Sequence, residues 1–171
     1  MGLLFCLTIG LYFFAIKAFS PQPPLNYCAF CDPKVLDGQT FYEDDLVIAL
    51  CTHRPVFPGH SLIIPKRHVE RFEELSDEEI SRIGKVIKKV NDATVNIFHT
   101  SAYLLLQKNG HEVGQTVPHV HFHYIPRKAE DSSVIKFLAN MFLANAKPPL
   151  SAAESRKTAN TMKQAIETLP P

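Results

Sequence analysis

The 171 residues carry almost no net charge, because 18 Lys and Arg against 17 Asp and Glu leave +1 at neutral pH. No global field therefore draws the chain to duplex nucleic acid or to an anionic membrane surface, and any anionic ligand has to be held by a local constellation. Cysteine is also scarce: Cys6, Cys28, Cys31 and Cys51 are too few and too unevenly spread for a small disulfide scaffold. No internal repeat or low-complexity tract is present. A composition that is 46% hydrophobic and 20% charged excludes a disordered or collagen-like chain. What remains is a chain sized for one globular domain with a modest extra segment, long enough to bury a core.

The N-terminus stands apart. MGLLFCLTIGLYFFAIKAF is apolar except for Thr8 and Lys17, and a Pro-rich SPQPP follows it. A short membrane anchor, a secretory signal and an upstream extension from a misassigned start all fit an apolar leader at residues 1–24. The lack of a basic residue before the apolar stretch, and of a small-residue cleavage site, weighs against the signal. A membrane is a partner only if this segment is part of the mature protein, and the expected compartment is the cytoplasm.

After that hinge, TFYEDDLVIALCTH predicts two short strands joined at the acidic turn Glu43 to Asp45, and Ser61 to Ile64 a third. The clearest helix is predicted over Asp77 to Phe98. Ser76 and Glu79 form a capping box, and Ile80, Ile83, Ile87, Val90, Thr94 and Ile97 line one face. Ala102 to Gln107 predicts another strand, and Ser133 to Asn145 and Ala152 to Thr168 carry weaker helical patterns. Short connections favour antiparallel pairing, so the expected class is α+β, with the long helix on one sheet face. Phe41, Leu46 and Ile48 are expected in the core rather than in a pocket.

The segment VPHVHFHYIPR, Val117 to Arg127, holds three histidines at alternate positions. In a strand, His119, His121 and His123 share one face, expected to lie open, while Val120, Phe122 and Tyr124 pack beneath the helix. Three adjacent imidazoles repel one another when protonated, so they are expected to be mostly neutral or to recruit an anion or a metal. Neutral imidazole serves as nucleophile, proton shuttle or metal ligand. Cys28 and Cys31 form a C-x-x-C, which suggests metal or redox chemistry.

GQTVPHVHFHYIPR resembles the signature of the histidine triad (HIT) family, and RPVFPGHSLIIPKRHVERF and LLLQKNGHEVGQTV extend the agreement over about Tyr27 to Lys128. The resemblance is strongest to the fragile histidine triad branch, whose members cleave diadenosine polyphosphates. It implies a HIT fold at residues 25–130, an antiparallel sheet of about five strands, a C-terminal helical tail at 131–171, and an isologous homodimer. By the same resemblance His121 is the nucleophile that attacks the α-phosphorus and His123 a donor to the phosphate oxygens. Gln107 contacts the bridging oxygen, with Lys108 or Asn109 as alternatives because the loop to Gln115 is one residue longer here. Gln115 and Thr116 cradle phosphate, His60 flanks the nucleophile, and Thr52 stands where the family has a ribose-binding Asn or Asp. Cys28, Cys31, His68 and His119 match the set that some bacterial HIT proteins use for structural zinc, a feature the fragile histidine triad branch typically lacks. The implied activity is dinucleoside polyphosphate hydrolysis through a nucleotidyl-histidine. Hydrolysis of nucleoside phosphoramidates and a nucleotide-binding module with little catalysis are the alternatives. Cys51, in a predicted strand, is expected as a small buried hydrophobe.

Overall fold

The structure is a computed structural model that describes residues 27–127, 133–144 and 146–170. The leader at residues 1–24 lies outside them. Among the described residues no helix is long and apolar enough to cross a membrane.

Five strands, β1 (Thr40–Glu43), β2 (Val47–Cys51), β3 (Ser61–Pro65), β4 (Ala102–Gln107) and β5 (Phe122–Arg127), form one antiparallel sheet in the order β1-β2-β3-β5-β4. The acidic turn between β1 and β2 closes because Asp44 accepts from the backbone N–H groups of Leu46 and Val47, each at 2.9 Å. That is the local bond by which Asp competes with regular structure.

Helix α1 is the single turn Pro33–Leu36, α2 spans Asp77–Phe98, α3 Val134–Ala144 and α4 Ala152–Glu167. The α2 boundaries are those its capping residues predict. Ser76 Oγ accepts from Glu79 N–H, Glu79 Oε2 accepts from Ser76 N–H at 2.8 Å, and His99 ends the helix in the left-handed conformation. Its buried stripe differs from the expected one. Ile83, Val86, Ile87, Val90, Ala93 and Thr94 are buried, whereas Ile80 is 38% exposed. Glu79 occupies the inward position beside Ile80, where both its oxygens accept from Arg67, at 3.0 and 2.8 Å. A carboxylate can lie there only because it is paired and also caps the helix.

Alternate residues of β2 and β3 feed two separate cores. Val47, Ala49, Cys51 and Ile63 join Val120, Tyr124 and the inner faces of α2 and α4. Ile48, Leu50, Leu62 and Ile64 form a smaller cluster on the other face, covered by Phe30 and Leu36. Phe41 is buried in the larger core and Leu46 packs on it, while Ile48 belongs to the smaller. The long helix does not cover its sheet face alone. Helix α4 buries Ala159, Met162 and Ile166 beside it, a spacing that places all three on one helical face.

The histidine strand is shorter than expected, starting at Phe122 instead of Val117. Pro118 has no N–H to give a ladder. The His119 N–H folds back onto Val117 O at 2.8 Å, and the Val120 N–H bonds Val69 O at 2.7 Å, outside the sheet. The alternation survives this break, because Val120, Phe122 and Tyr124 still pack in the larger core. The opposite face is not open: His119 is 0% and His121 4% exposed.

Candidate functional site

The three histidines sit between two features at opposite ends of β3: a thiol knuckle near Pro65 and a buried histidine, His60, just before Ser61. At the knuckle a 3₁₀ turn, Ala29–Cys31, carries Cys28 and Cys31 to one side of His119. Their sulfurs lie 3.4 and 3.7 Å from His119 Nδ1, and Cys31 Sγ lies 3.4 Å from His68 Nδ1. All four donor atoms fall within 4.8 Å of one another. A tetrahedral zinc with bonds of about 2.0–2.3 Å separates neighbouring donors by about 3.4–3.8 Å, and the three sulfur–imidazole contacts fall in that range. The tautomer fits as well. His119 Nε2 lies 2.9 Å from Pro65 O and donates its proton there, which turns the bare Nδ1 lone pair toward the sulfurs. His68 Nε2 stands 3.6 Å from Glu70 Oε1, an outer carboxylate that orients its ring. Loss of water contact and the neighbouring Cys28 push the Cys31 thiol up to about 11, so a cation is what would bring the pair to thiolate.

At the other end, a chain of directed hydrogen bonds sets the remaining tautomers. The Val56 N–H donates to His60 Nδ1 at 3.1 Å, which leaves the His60 proton on Nε2. His60 Nε2 lies 3.0 Å from His123 Nδ1 and donates to it, so the His123 proton sits on Nε2. His121 has the reverse arrangement: its Nδ1–H donates to His119 O at 2.7 Å, leaving Nε2 as an unprotonated lone pair. The His121 and His123 rings are 5.0 Å apart. A nucleophilic nitrogen and an N–H donor therefore stand side by side.

These assignments require neutral rings, and the surroundings enforce neutrality. Burial, reinforced by His121, His60 and Lys108, pulls His123 down to about 3. Burial also holds His60 at about 4 and, with His68 and His121 contributing, His119 at about 4. His121 is lowered by burial and by Lys108, against the opposing bond to His119 O. All four are uncharged at neutral pH.

The loop after β4 separates residues that the sequence left together. Lys108 is the cation whose field reaches both His121 and His123. Gln107 is half-buried at the end of β4, with its amide on Lys108 O. Asn109 is engaged elsewhere, accepting from Phe72 N–H and donating to Glu73. Gln115 is buried with both ends of its amide on backbone: it accepts from Gly110 N–H at 2.6 Å and donates to Glu70 O at 2.9 Å. It braces the loop rather than presenting a free side chain. Thr116 is exposed, and Thr52 is buried beside His60, accepting from Arg54 N–H at 3.4 Å. His60 contacts His123 directly and is only 5% exposed.

Phe30 is the residue that sequence reasoning missed. Its ring meets His121 edge-on at 5.2 Å and His119 at 5.9 Å, and it heads the apolar wall of Leu36, Ile48, Leu50 and Leu62. The available signal was its position, with Ala29, between Cys28 and Cys31.

Comparison with known proteins agrees with this geometry. The family model of the HIT domain matches residues 34–130. The chain is 39% identical over 114 residues to an uncharacterized HIT-like protein of Methanocaldococcus jannaschii, a match covering 64% of this chain and 86% of that protein. It is 40% identical over 96 residues to the asymmetrical bis(5'-nucleosyl)-tetraphosphatase of Schizosaccharomyces pombe, covering 56% of this chain and 53% of the yeast protein. The chain thus spans about half the length of that enzyme. Among solved structures, the Caenorhabditis elegans NitFhit protein superposes with a TM-score of 0.65 at 27% identity, over 85% of this chain and 31% of that one.

Proposed function

The chain belongs to the HIT family, and on that premise we propose that it is a nucleotidyl hydrolase that cleaves dinucleoside polyphosphates at the α-phosphorus. The observation that carries the reading is the opposed pair of tautomers: His121 offers a bare Nε2 while its neighbour His123 offers Nε2–H. His121 Nε2 attacks the α-phosphorus, an N–P bond forms, and the bridging P–O bond breaks with its electron pair leaving on the departing nucleotide. Water then displaces the imidazole from phosphorus and restores His121. Dividing the displacement in this way is covalent catalysis. His123 Nε2–H and Lys108 face the charge that accumulates on the phosphoryl oxygens in both steps. Thr52 and Thr116 are the remaining hydroxyls within the site's loops, and Gln107 lies at its rim. The apolar wall headed by Phe30 suits a flat base, since an aromatic edge and aliphatic side chains bury ring area without demanding hydrogen bonds.

In this reading Cys28, Cys31, His68 and His119 hold a structural zinc. Bound there, the ion would supply charge that favours the thiolates and would tie the knuckle to the histidine segment, outside the chemical step. The edge strand β4 exposes Tyr103 and Leu105 at 43% and 42%. Unpaired apolar edges of this kind are covered by association, which supports an isologous dimer. A cytoplasmic location belongs to the same reading, since a compartment that keeps thiols reduced leaves Cys28 and Cys31 free to hold a metal.

The test is hydrolysis of diadenosine triphosphate, diadenosine tetraphosphate and an adenosine phosphoramidate by the purified full chain, with His121→Asn alongside. Cleavage of either diadenosine compound that vanishes in the variant supports the proposal. Faster turnover of the phosphoramidate replaces it with the P–N hydrolase reading. Nucleotide binding without turnover of any of the three replaces it with a binding module.

A further inference from the structure

A cavity of about 450 Å³ opens on the helical side of the sheet, away from Phe30 and His121. Its volume is that of a small-molecule site. The floor is apolar, formed by Ile97, Phe98 and Met162. One wall is the Pro55–His60 loop, and the other is the exposed side of α4 with the segment that precedes it. Both walls are tied in place. The Leu150 N–H donates to His53 O at 2.8 Å, which joins the α3–α4 connection to the loop. Gly59 sits at φ +84°, where a Cβ would fall 2.6 Å from the Phe98 ring, so glycine alone permits the loop to seat on α2.

The polar rim is one-sided in charge. Lys147 and Lys157 line it, and neither has an ion-pair partner among the described residues. Thr158 and Thr161 line it too, but each hydroxyl proton is given to its own helix, on Glu154 O at 2.9 Å and Lys157 O at 3.0 Å. Donors for a ligand therefore come from the two lysines, and apolar contact from the floor. We propose that this cavity is a second ligand site, for a small organic anion with an aryl or acyl body and one carboxylate or sulfonate group held by Lys147 and Lys157. The hydrolase reading uses neither lysine, although Thr52 lines this cavity as well. Its loop wall carries the Val56 N–H and His60 that set the His123 tautomer, so the cavity lies behind the triad.

The experiment uses the full chain and 8-anilinonaphthalene-1-sulfonate, an aryl sulfonate, followed by fluorescence titration. Binding is read without turnover, so the hydrolase reading can fail while this one holds. The expected result is saturable binding of one dye per chain, unaffected by excess AMP. It becomes about tenfold weaker in Lys147→Ala/Lys157→Ala, the sum of two exposed ion pairs, and is lost in Thr158→Trp, which fills the cavity. Far-UV circular dichroism checks that both variants keep the fold. Displacement by AMP would put the dye in the nucleotide site and overturn the proposal. Unchanged affinity in the lysine variant, or dye retained by Thr158→Trp, would overturn it as well, because dye on any other apolar surface persists in those variants.

Discussion

His119 and His121 are two residues apart, on one face of one segment, and present opposite nitrogens. His119 gives its Nε2 proton to Pro65 O and turns Nδ1 toward two sulfurs. His121 gives its Nδ1 proton to His119 O and leaves Nε2 bare beside His123. Two backbone carbonyls thus divide the segment into an end that faces two thiols and an end that presents a bare Nε2. The lesson is that identical side chains acquire different chemistry from the acceptor behind them.

The sharpest way to break this division is His121→Asn. The amide keeps a donor for His119 O but has no nucleophilic nitrogen, so turnover should fall by roughly 10³-fold or more with nucleotide affinity within about threefold of the parent. Single-turnover kinetics and equilibrium binding together check it. Next in size is the metal end. Cys28→Ser should abolish zinc binding, measured by atomic emission on protein purified with zinc, and lower stability by about 3 kcal/mol, less than a zinc finger loses because a large core remains. Stripping the ion with a chelator should lower the melting temperature of the parent and leave that of Cys28→Ser unchanged.

The relay behind His123 predicts a smaller effect. His60→Phe removes the donor to His123 Nδ1, so the His123 proton redistributes between its nitrogens. The expected change is a drop of about 10- to 100-fold in kcat with little change in KM. His60→Gln can still donate to Nδ1 and should recover part of the loss, which a purely structural role for the ring would not predict.

The smallest predicted effect joins the metal end to α2. Arg67, next to the metal-type His68, pairs with Glu79, and that guanidinium together with the Ser76 N–H lowers the Glu79 carboxyl below its ordinary 4.5. A depressed carboxylate stabilises the fold at pH above its unfolded value and loses that contribution as pH falls through the folded one. Since Arg67 is half exposed, the contribution is about 1 kcal/mol or less. Glu79→Gln should therefore narrow the gap to the parent as urea titrations move from pH 7 to pH 3.

The sequence displayed this comparison unevenly. The boundaries of α2 were legible because Ser76, Glu79 and the apolar period are local signals. The position of Ile80 was not, since its exposure follows from Glu79 taking the inward place, where Arg67, twelve residues away, pairs with it. The extent of β5 was misread because alternation persists past the point where Pro118 and the Val69 carbonyl end the ladder. Helix α4 gave only a weak pattern. Its three core residues are widely spaced among polar ones, and their burial follows from docking against α2 and the sheet.

Composition and spacing alone determined that the chain is α+β, that three histidines share a face, and that two thiols can reach one ion, because these follow from periods of two and 3.6 residues and from charges that are counted. Only the tertiary structure decided which nitrogen each histidine offers, that Phe30 meets His121 edge-on, and that Gln115 braces a loop. A side chain's free atom is whatever its distant neighbours leave unpaired, and those neighbours, Pro65, Val56 and Glu70, are brought there by the fold.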